Sequence, residues 1–375
     1  MIETTKLKAV TVGSAVVDII AIVADQDIEQ LTLQNSAASF LLLEPGRKIE
    51  ADSISIHTGG GAINAAVALA RLGYEVTPLV KIGRDLNASK VMETLAAEGL
   101  DAGLVCRDDK LATGVAVMIS AHDRNPSIFT FRGANTALKE SDIPADAFQG
   151  ASLVYVSGLS NASADCFPGI IRAVKAAGAF VATNPGIRQL SSRREAFLGV
   201  IGALDLLTLN KDEAAALLPG LIAQSDRGHG AVHPPAPRIA PAVELPPLLR
   251  RGISSREADV TLSAFMTSLH ALGPRYVAVT DGSKGAYVSG NGRLVYCPAL
   301  PVEVAGTAGA GDAFASTLAA RLSAGESIAD AMIAASMNAA SVVEVVDTQS
   351  GLLQVAEITN RMPNARTKLR IQTWG

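Results

Sequence analysis

Short β-branched runs alternate with alanine-rich stretches of helical period along most of the chain. LKAVTVG (7–13), TPLVKIG (77–83), LVYVSG (153–158), AFVATN (179–184), LDLLTLN (204–210) and YVAVTDG (276–282) have strand length, and a Gly, Asn or Asp closes each one. Apolar runs without alternation predict strands buried on both faces. Between them, GAINAAVALARLG (61–73), NASKVMETLAAEG (87–99), FPGIIRAVKAAG (167–178) and READVTLSAFMTSLHALG (256–273) carry the helical period, with glycine stops at their ends. Strand–helix alternation of this kind predicts a single α/β domain, a mostly parallel central sheet with helices on both faces. Its ligand is expected at the carboxyl ends of the strands.

Two regions break the rhythm. KIEADSISIH (48–57), GVAVMIS (114–120) and IFTFR (128–132) alternate polar and apolar positions, with no helical segment between the last two. They predict a small antiparallel sheet appended to the main one, drawn from about 19–57 and 104–132. The stretch at about 222–247, rich in Pro, Gly and His, is expected to be an irregular surface insertion. Its His229 and His233 are read as loop residues rather than metal ligands.

Composition narrows the function classes. The chain has 375 residues, 49% hydrophobic and 18% charged, with a formal net charge of −4. No apolar run reaches the roughly 18 residues a membrane span needs, and the N-terminus lacks the order of a signal peptide. A cytoplasmic protein with no membrane partner is expected. Scattered Lys and Arg give no nucleic-acid footprint. Cys106, Cys166 and Cys297 are far apart and lack metal-ligand spacing.

Chemistry concentrates where small residues meet helix starts. In AGTAGAGDAF (305–314), Gly309-Ala310-Gly311 precede Asp312 and a predicted helix over 313–325. Backbone N–H groups at a helix start, free of bulky side chains, form an anion site. The spacing is not that of a Walker loop, since Asp-Ala follows Gly311, nor of a dinucleotide turn. GGGAINAAV (59–67) sets three glycines before a helix carrying Asn64, VTVGSAVVD (10–18) delivers Asp18 from a strand end, and NKDE (210–213) spaces Asn210 and Glu213 three apart.

In order and spacing these segments resemble the ribokinase (PfkB) family of carbohydrate and nucleoside kinases, from about residue 9 to 346. The glycine stretches 59–73 and 306–325 carry most of the likeness, with KIGRDLNASKVMETLAAEGLD (81–101) and NKDE in support. The resemblance implies a ribokinase-like fold with a β lid and phosphoryl transfer from ATP to a hydroxyl. The acceptor is a sugar or nucleoside, and Mg²⁺ accompanies ATP. It assigns Gly309, Ala310 and Gly311 to the anion hole and Asp312 to the base. A carboxylate at a helix N-terminus is expected to be a weak base, because the dipole favours its charge. Asp18, Gly60, Gly61 and Asn64 match sugar-binding positions. Asn184, Asn210, Thr280, Gly282, Gly285 and Asn338 match the nucleotide side, and Glu213 the group that organises Mg²⁺ through water. The lid is often a dimer contact in relatives, so a homodimer is expected.

The departures are also informative. Gly306-Thr307 stands where the family usually has Asp-Thr, which leaves a monovalent cation open. Val16 replaces a polar amide and Gly61 a lysine, which disfavours ribose as the acceptor. Arg132, in FRGAN, is placed either against an anionic group of the substrate or in solvent. Two rivals are an NAD-dependent oxidoreductase, for which the first strand lacks the glycine fingerprint, and a catalytically degenerate sugar- or nucleotide-binding regulator.

Overall fold

The computed structural model describes residues 6–24, 29–32, 39–42, 45–120, 127–226 and 245–375. Most of the 222–247 insertion, His229 and His233 included, lies outside the described residues.

A ten-stranded sheet forms the body. From one edge the strands run Val105–Arg107, Glu75–Ile82, Lys8–Gly13, Leu153–Ser157, Phe180–Asn184, Leu206–Asn210 and Tyr276–Thr280, all parallel. Ala286–Gly290, Arg293–Cys297 and Gln372–Trp374 then extend it antiparallel. These three edge strands do not stand out in the sequence pattern, because they are short and lack the helical spacers that mark the parallel ones.

Alternate side chains of the central strands enter two separate cores. Leu153 and Tyr155 point into one, beneath the Gly61–Arg71, Ala310–Ser323 and Ile328–Val343 helices. Val154 and Val156 point into the other, with Phe167, Ile171, Leu217 and Phe265. Burial on both faces is what the uninterrupted apolar runs predict. The expected helix over 256–273 is shorter than its pattern. Ile253–Ser254 pairs with Asp259–Val260 as a hairpin, and the helix spans Leu262–Ala271. Thr261 stops it on the N-terminal side by accepting from Ala264 N–H at 3.1 Å.

The second sheet has the order Ser53–Gly59, Val16–Ile22, Gly114–Ser120, Ser127–Phe131. Its outer pairs are antiparallel, as expected, but Val16–Ile22 and Gly114–Ser120 run parallel. The sequence reading ends the first strand near Asp18. The chain in fact leaves the main sheet at Gly13, turns at Ser14-Ala15 and starts a new strand at Val16, so Asp18 belongs to the lid. The turn is fixed by Asn135, which accepts from Ala15 N–H at 2.9 Å and donates to Ala15 O at 2.8 Å. Ile20, Ala116 and Met118, on the inner lid face, pack on Ala308 and Val346 beside the glycine turn.

Candidate active site

Gly309 caps the Ala310–Ser323 helix with φ 82 and ψ −16. A Cβ there would stand 2.8 Å from Thr348 Cβ and 3.0 Å from its carbonyl oxygen, so both conformation and space require glycine. The first bond of the helix runs from Ala313 N–H to Gly309 O at 2.9 Å. The N–H groups of Ala310, Gly311 and Asp312 therefore have no intrahelical acceptor. Around Gly311 a Cβ would meet nothing within 4 Å. Open space next to donors at a helix start suits an anion.

Asp312 sits in that first turn, half-buried. Asn64 Nδ2 donates to its Oδ2 at 2.9 Å. The Asn64 amide is itself held, since its Oδ1 accepts from Thr348 Oγ1 and from Gln349 Nε2, each at 3.0 Å. Gln349 also donates to Thr58 O at 2.7 Å, tying the group to the root of the lid. Thr348 and Gln349 were not visible as site residues in the sequence, because VDTQSG (346–351) lies at no strand–helix junction that would mark it. Gly61 adjoins the same carboxylate: a Cβ there would lie 3.4 Å from Asp312 Oδ1 and 2.8 Å from the Ser157 side chain.

The electrostatics differ from the helix-dipole expectation for Asp312. Burial raises its pKa, and the Asn64 bond only partly offsets the rise. Asp18, 3% exposed, is pushed up to about 7, first by burial and then by the charges of Asp312 and Asp347. Gly59 makes room for it, for a Cβ there would overlap the Asp18 carboxylate. Gly60, at φ 96, lies against the Ser14 carbonyl. Asp18, Gly60, Gly61, Asn64 and Asp312 thus share one neighbourhood between lid and body.

The neighbouring strand ends continue the edge. Asn210 Oδ1 accepts from the N–H groups of Asp212 and Glu213, and Glu213 Oε2 accepts from Asn210 N–H, each at 2.9 Å. This is a reciprocal helix cap. Yet Glu213 does not behave as a solvated cap. Burial pushes its pKa to about 7 against the bonds from Asn210 and from Asn184 Nδ2, and the Asp312 charge adds to the rise. Thr280 stands in register with Asn210 on the adjacent strand. Gly282 and Gly285 follow it with φ 57 and 93.

Asn338, expected on the nucleotide side, sits in the core. It is fully buried; its Nδ2 donates to Thr317 Oγ1 at 2.8 Å and its Oδ1 accepts from Leu353 N–H at 2.9 Å. It ties two helices to the 347–353 turn. The asparagine-in-helix pattern says nothing of which way the amide points.

Among the described residues, no group of three or more His, Cys, Asp or Glu side chains is placed to hold a metal ion, and no helix is long and apolar enough to cross a membrane. A doubly covered, mostly parallel sheet with a small lid and an anion site at its carboxyl edge describes a nucleotide- or phosphate-handling α/β protein. The pfkB family carbohydrate kinase pattern matches residues 6–237 and 252–355, and the chain belongs to that family. It is 24% identical over 300 residues to a bifunctional ribokinase/ribose-5-phosphate isomerase A of Fructilactobacillus sanfranciscensis, which covers 79% of this chain and 48% of that one. It is 27% identical over 168 residues to the 2-dehydro-3-deoxygluconokinase of Bacillus subtilis, covering 43% of this chain and 52% of that one. The chain thus spans about half the length of these two relatives. Arabidopsis thaliana ribokinase, solved with ribose and ATP, superposes with a TM-score of 0.69 at 20% identity, over 96% of this chain and 99% of that one.

Proposed function

We propose that the protein is an ATP-dependent kinase that transfers the γ-phosphoryl group to a hydroxymethyl group of a sugar or sugar-like acceptor. The observation that carries this reading is the pairing of open helix-start amides at Ala310 and Gly311 with a carboxylate, Asp312, whose orientation Asn64 fixes.

Phosphoryl transfer asks the protein mainly for in-line placement and for neutralisation of charge. The amides of 309–311 receive the transferring phosphate, and the helix dipole adds to their attraction. Asp312 accepts the proton of the acceptor hydroxyl. Its raised pKa makes it a better base than an exposed carboxylate, and the Asn64 bond favours its ionised form. Asp18 and Asn64 hold neighbouring hydroxyls, and Gly60 lets the sugar approach the backbone. The lid strands cover the acceptor and exclude water.

ATP lies along the strand ends at Asn184, Asn210, Thr280, Gly282 and Gly285. Mg²⁺ enters with ATP as part of that substrate. Glu213, half-buried and facing the Asp312 field, would when ionised supply negative charge toward its water shell, which fits an ion that keeps most of its waters. Bound Mg²⁺ neutralises phosphate charge.

The protein works in the cytoplasm as a homodimer. Ile54, Ile56, Phe129 and Phe131, each more than half exposed, lie on the outer lid face, and a second copy of that face is a self-complementary cover for them. Coupled detection of ADP release across pentoses, hexoses and nucleosides tests the kinase reading; silence with every acceptor contradicts it. A nucleoside acceptor is the second reading, and the nucleoside arm of the same assay distinguishes it.

A further inference from the structure

The lid strand Ser53–Gly59 carries its polarity inside out. Ile54 and Ile56 are exposed on the outer face, while Ser55 and His57 alternate with them, half-buried, on the inner one. In the ladder with Val16–Ile22, His57 lies directly opposite Asp18. Directly opposed residues share a face, with Cβ atoms about 4.5–5.5 Å apart. The imidazole therefore stands beside the carboxylate assigned to the acceptor. On the other side of Asp18 the register partner is Ala116, which offers no polar side-chain atom. In that row of three, His57 is the polar neighbour of Asp18.

The body reaches the same place through the 346–350 turn. Gln349 Nε2 donates to Thr58 O at 2.7 Å, one residue from His57. Val346 packs against Ile20, Ala116 and Met118 on the inner lid face. Asp347, 8% exposed, lies between these two points of attachment and is carried with them to the His57 end of the lid. Its Oδ1 accepts from Gln349 N–H at 2.8 Å and from Ser350 N–H at 2.7 Å. Burial opposes its ionisation, yet hydrogen bonds from Ser350 and Gln349, and then the charge of His57, hold its pKa low. Among the described residues the His57 ring makes no hydrogen bond or ion pair. Both of its nitrogens are polar capacity that the protein itself leaves unused.

An ionised carboxylate only accepts hydrogen bonds, whereas a neutral imidazole offers one donor and one acceptor. A hydroxyl does both, so the two groups side by side match hydroxyls on adjoining carbons. We propose that His57 is a specificity-determining residue of the acceptor site, its ring holding a hydroxyl next to the one that Asp18 takes. Asp347 holds the remote ring nitrogen and so fixes which nitrogen meets the sugar. The proposal rests on the kinase reading above and deepens its acceptor site. It selects acceptors with an unbroken run of hydroxyls at the lid over their deoxy analogues.

The test is a cycle between the side chain and the hydroxyl. With the full chain, kcat/KM is measured for ribose, glucose and adenosine and for their singly deoxygenated analogues, in the parent, His57→Ala and His57→Gln. Thermal shift with the same acceptors, without ATP, runs beside it. In the parent, removal of one particular hydroxyl is expected to cost at least about tenfold, through KM. In His57→Ala the intact acceptor loses a similar factor with kcat within a few-fold, and removal of that hydroxyl costs nothing further. His57→Gln, which keeps a donor and an acceptor, recovers part of the loss and carries the comparison if the alanine variant folds poorly. Ser55→Ala, one step outward on the same face, loses none. Additive losses, or a folded His57→Ala protein with the parent's KM, overturn the proposal and leave the kinase reading standing. Absence of ADP release with every acceptor sinks the kinase reading. In that case hydroxyl-specific stabilisation that His57→Ala abolishes upholds the site, whereas stabilisation equal in both proteins, or none, overturns it.

Discussion

Asn64 Nδ2 lies 2.9 Å from Asp312 Oδ2, and this one bond joins the helix after the first glycine stretch to the helix after the last. The two residues are 248 positions apart. Behind Asn64, Thr348 and Gln349 fix which way its amide faces. The Asp312 carboxylate, the proposed base, is therefore oriented by a relay that runs from the lid root at Thr58 through Gln349 and Asn64.

Removing the donor has a signed consequence. The Asn64 bond stabilises the ionised form of Asp312 and holds its pKa below the value that burial alone would give. In Asn64→Ala the acid limb of the kcat/KM profile is expected to move to higher pH. Gln349→Leu, which loosens the amide without deleting it, should move the limb in the same direction by less. A pH–rate profile unchanged in both variants contradicts the relay.

Gly309 and Gly311 are expected to respond oppositely to one methyl group. Gly309→Ala forces a left-handed conformation on alanine, about 1–3 kcal/mol, and also presses on Thr348, so the melting temperature should drop. Gly311→Ala finds open space and ordinary helical geometry. It should melt like the parent yet turn over at least tenfold more slowly, because the methyl occupies the phosphate's place. Full activity in Gly311→Ala is the contrary result.

Stability without ligand should fall as pH rises. Asp18 and Glu213 titrate near 7 in the folded protein and near 4 in the unfolded chain. Between those values the native state holds more protons, so stability decreases from about pH 4 to about pH 7 and then levels. Asp85, Asp108 and Asp347 have lowered pKa values and act in the opposite sense, below about pH 4. Asp18→Asn should flatten the decline in melting temperature. A profile as steep as the parent's argues against the burial assigned to Asp18.

The lid face should control assembly. Phe129→Asp together with Ile56→Glu is expected to convert a dimer to a monomer in light scattering, without changing the folded content by circular dichroism. A parent protein that is monomeric at high concentration contradicts the homodimer.

Much of this molecule can be read from its pattern, and the exceptions have physical causes. The parallel strands are legible because burial on both faces leaves continuous apolar runs such as LVYVSG. The strand at Val16–Ile22 is hidden, since only two residues, Ser14 and Ala15, separate it from the strand before. Gly309 and Asp312 are legible because helix starts with bare backbone are rare in composition. Thr348 and Gln349 are not, because they reach Asn64 and Thr58 across long sequence separations. Asn338 shows the converse: residue type alone cannot say whether an amide faces a ligand or, as here, the Thr317 hydroxyl and the Leu353 backbone.

The central claim is that Asp312 takes a proton from an acceptor hydroxyl while the helix-start amides hold the phosphoryl group. Turnover of the parent and of Asp312→Asn, followed by ADP release on the best acceptor, tests it most directly. The account expects a loss of about 10²–10⁴-fold in kcat, with acceptor affinity by thermal shift nearly unchanged. An Asp312→Asn protein that turns over within a few-fold of the parent would contradict it.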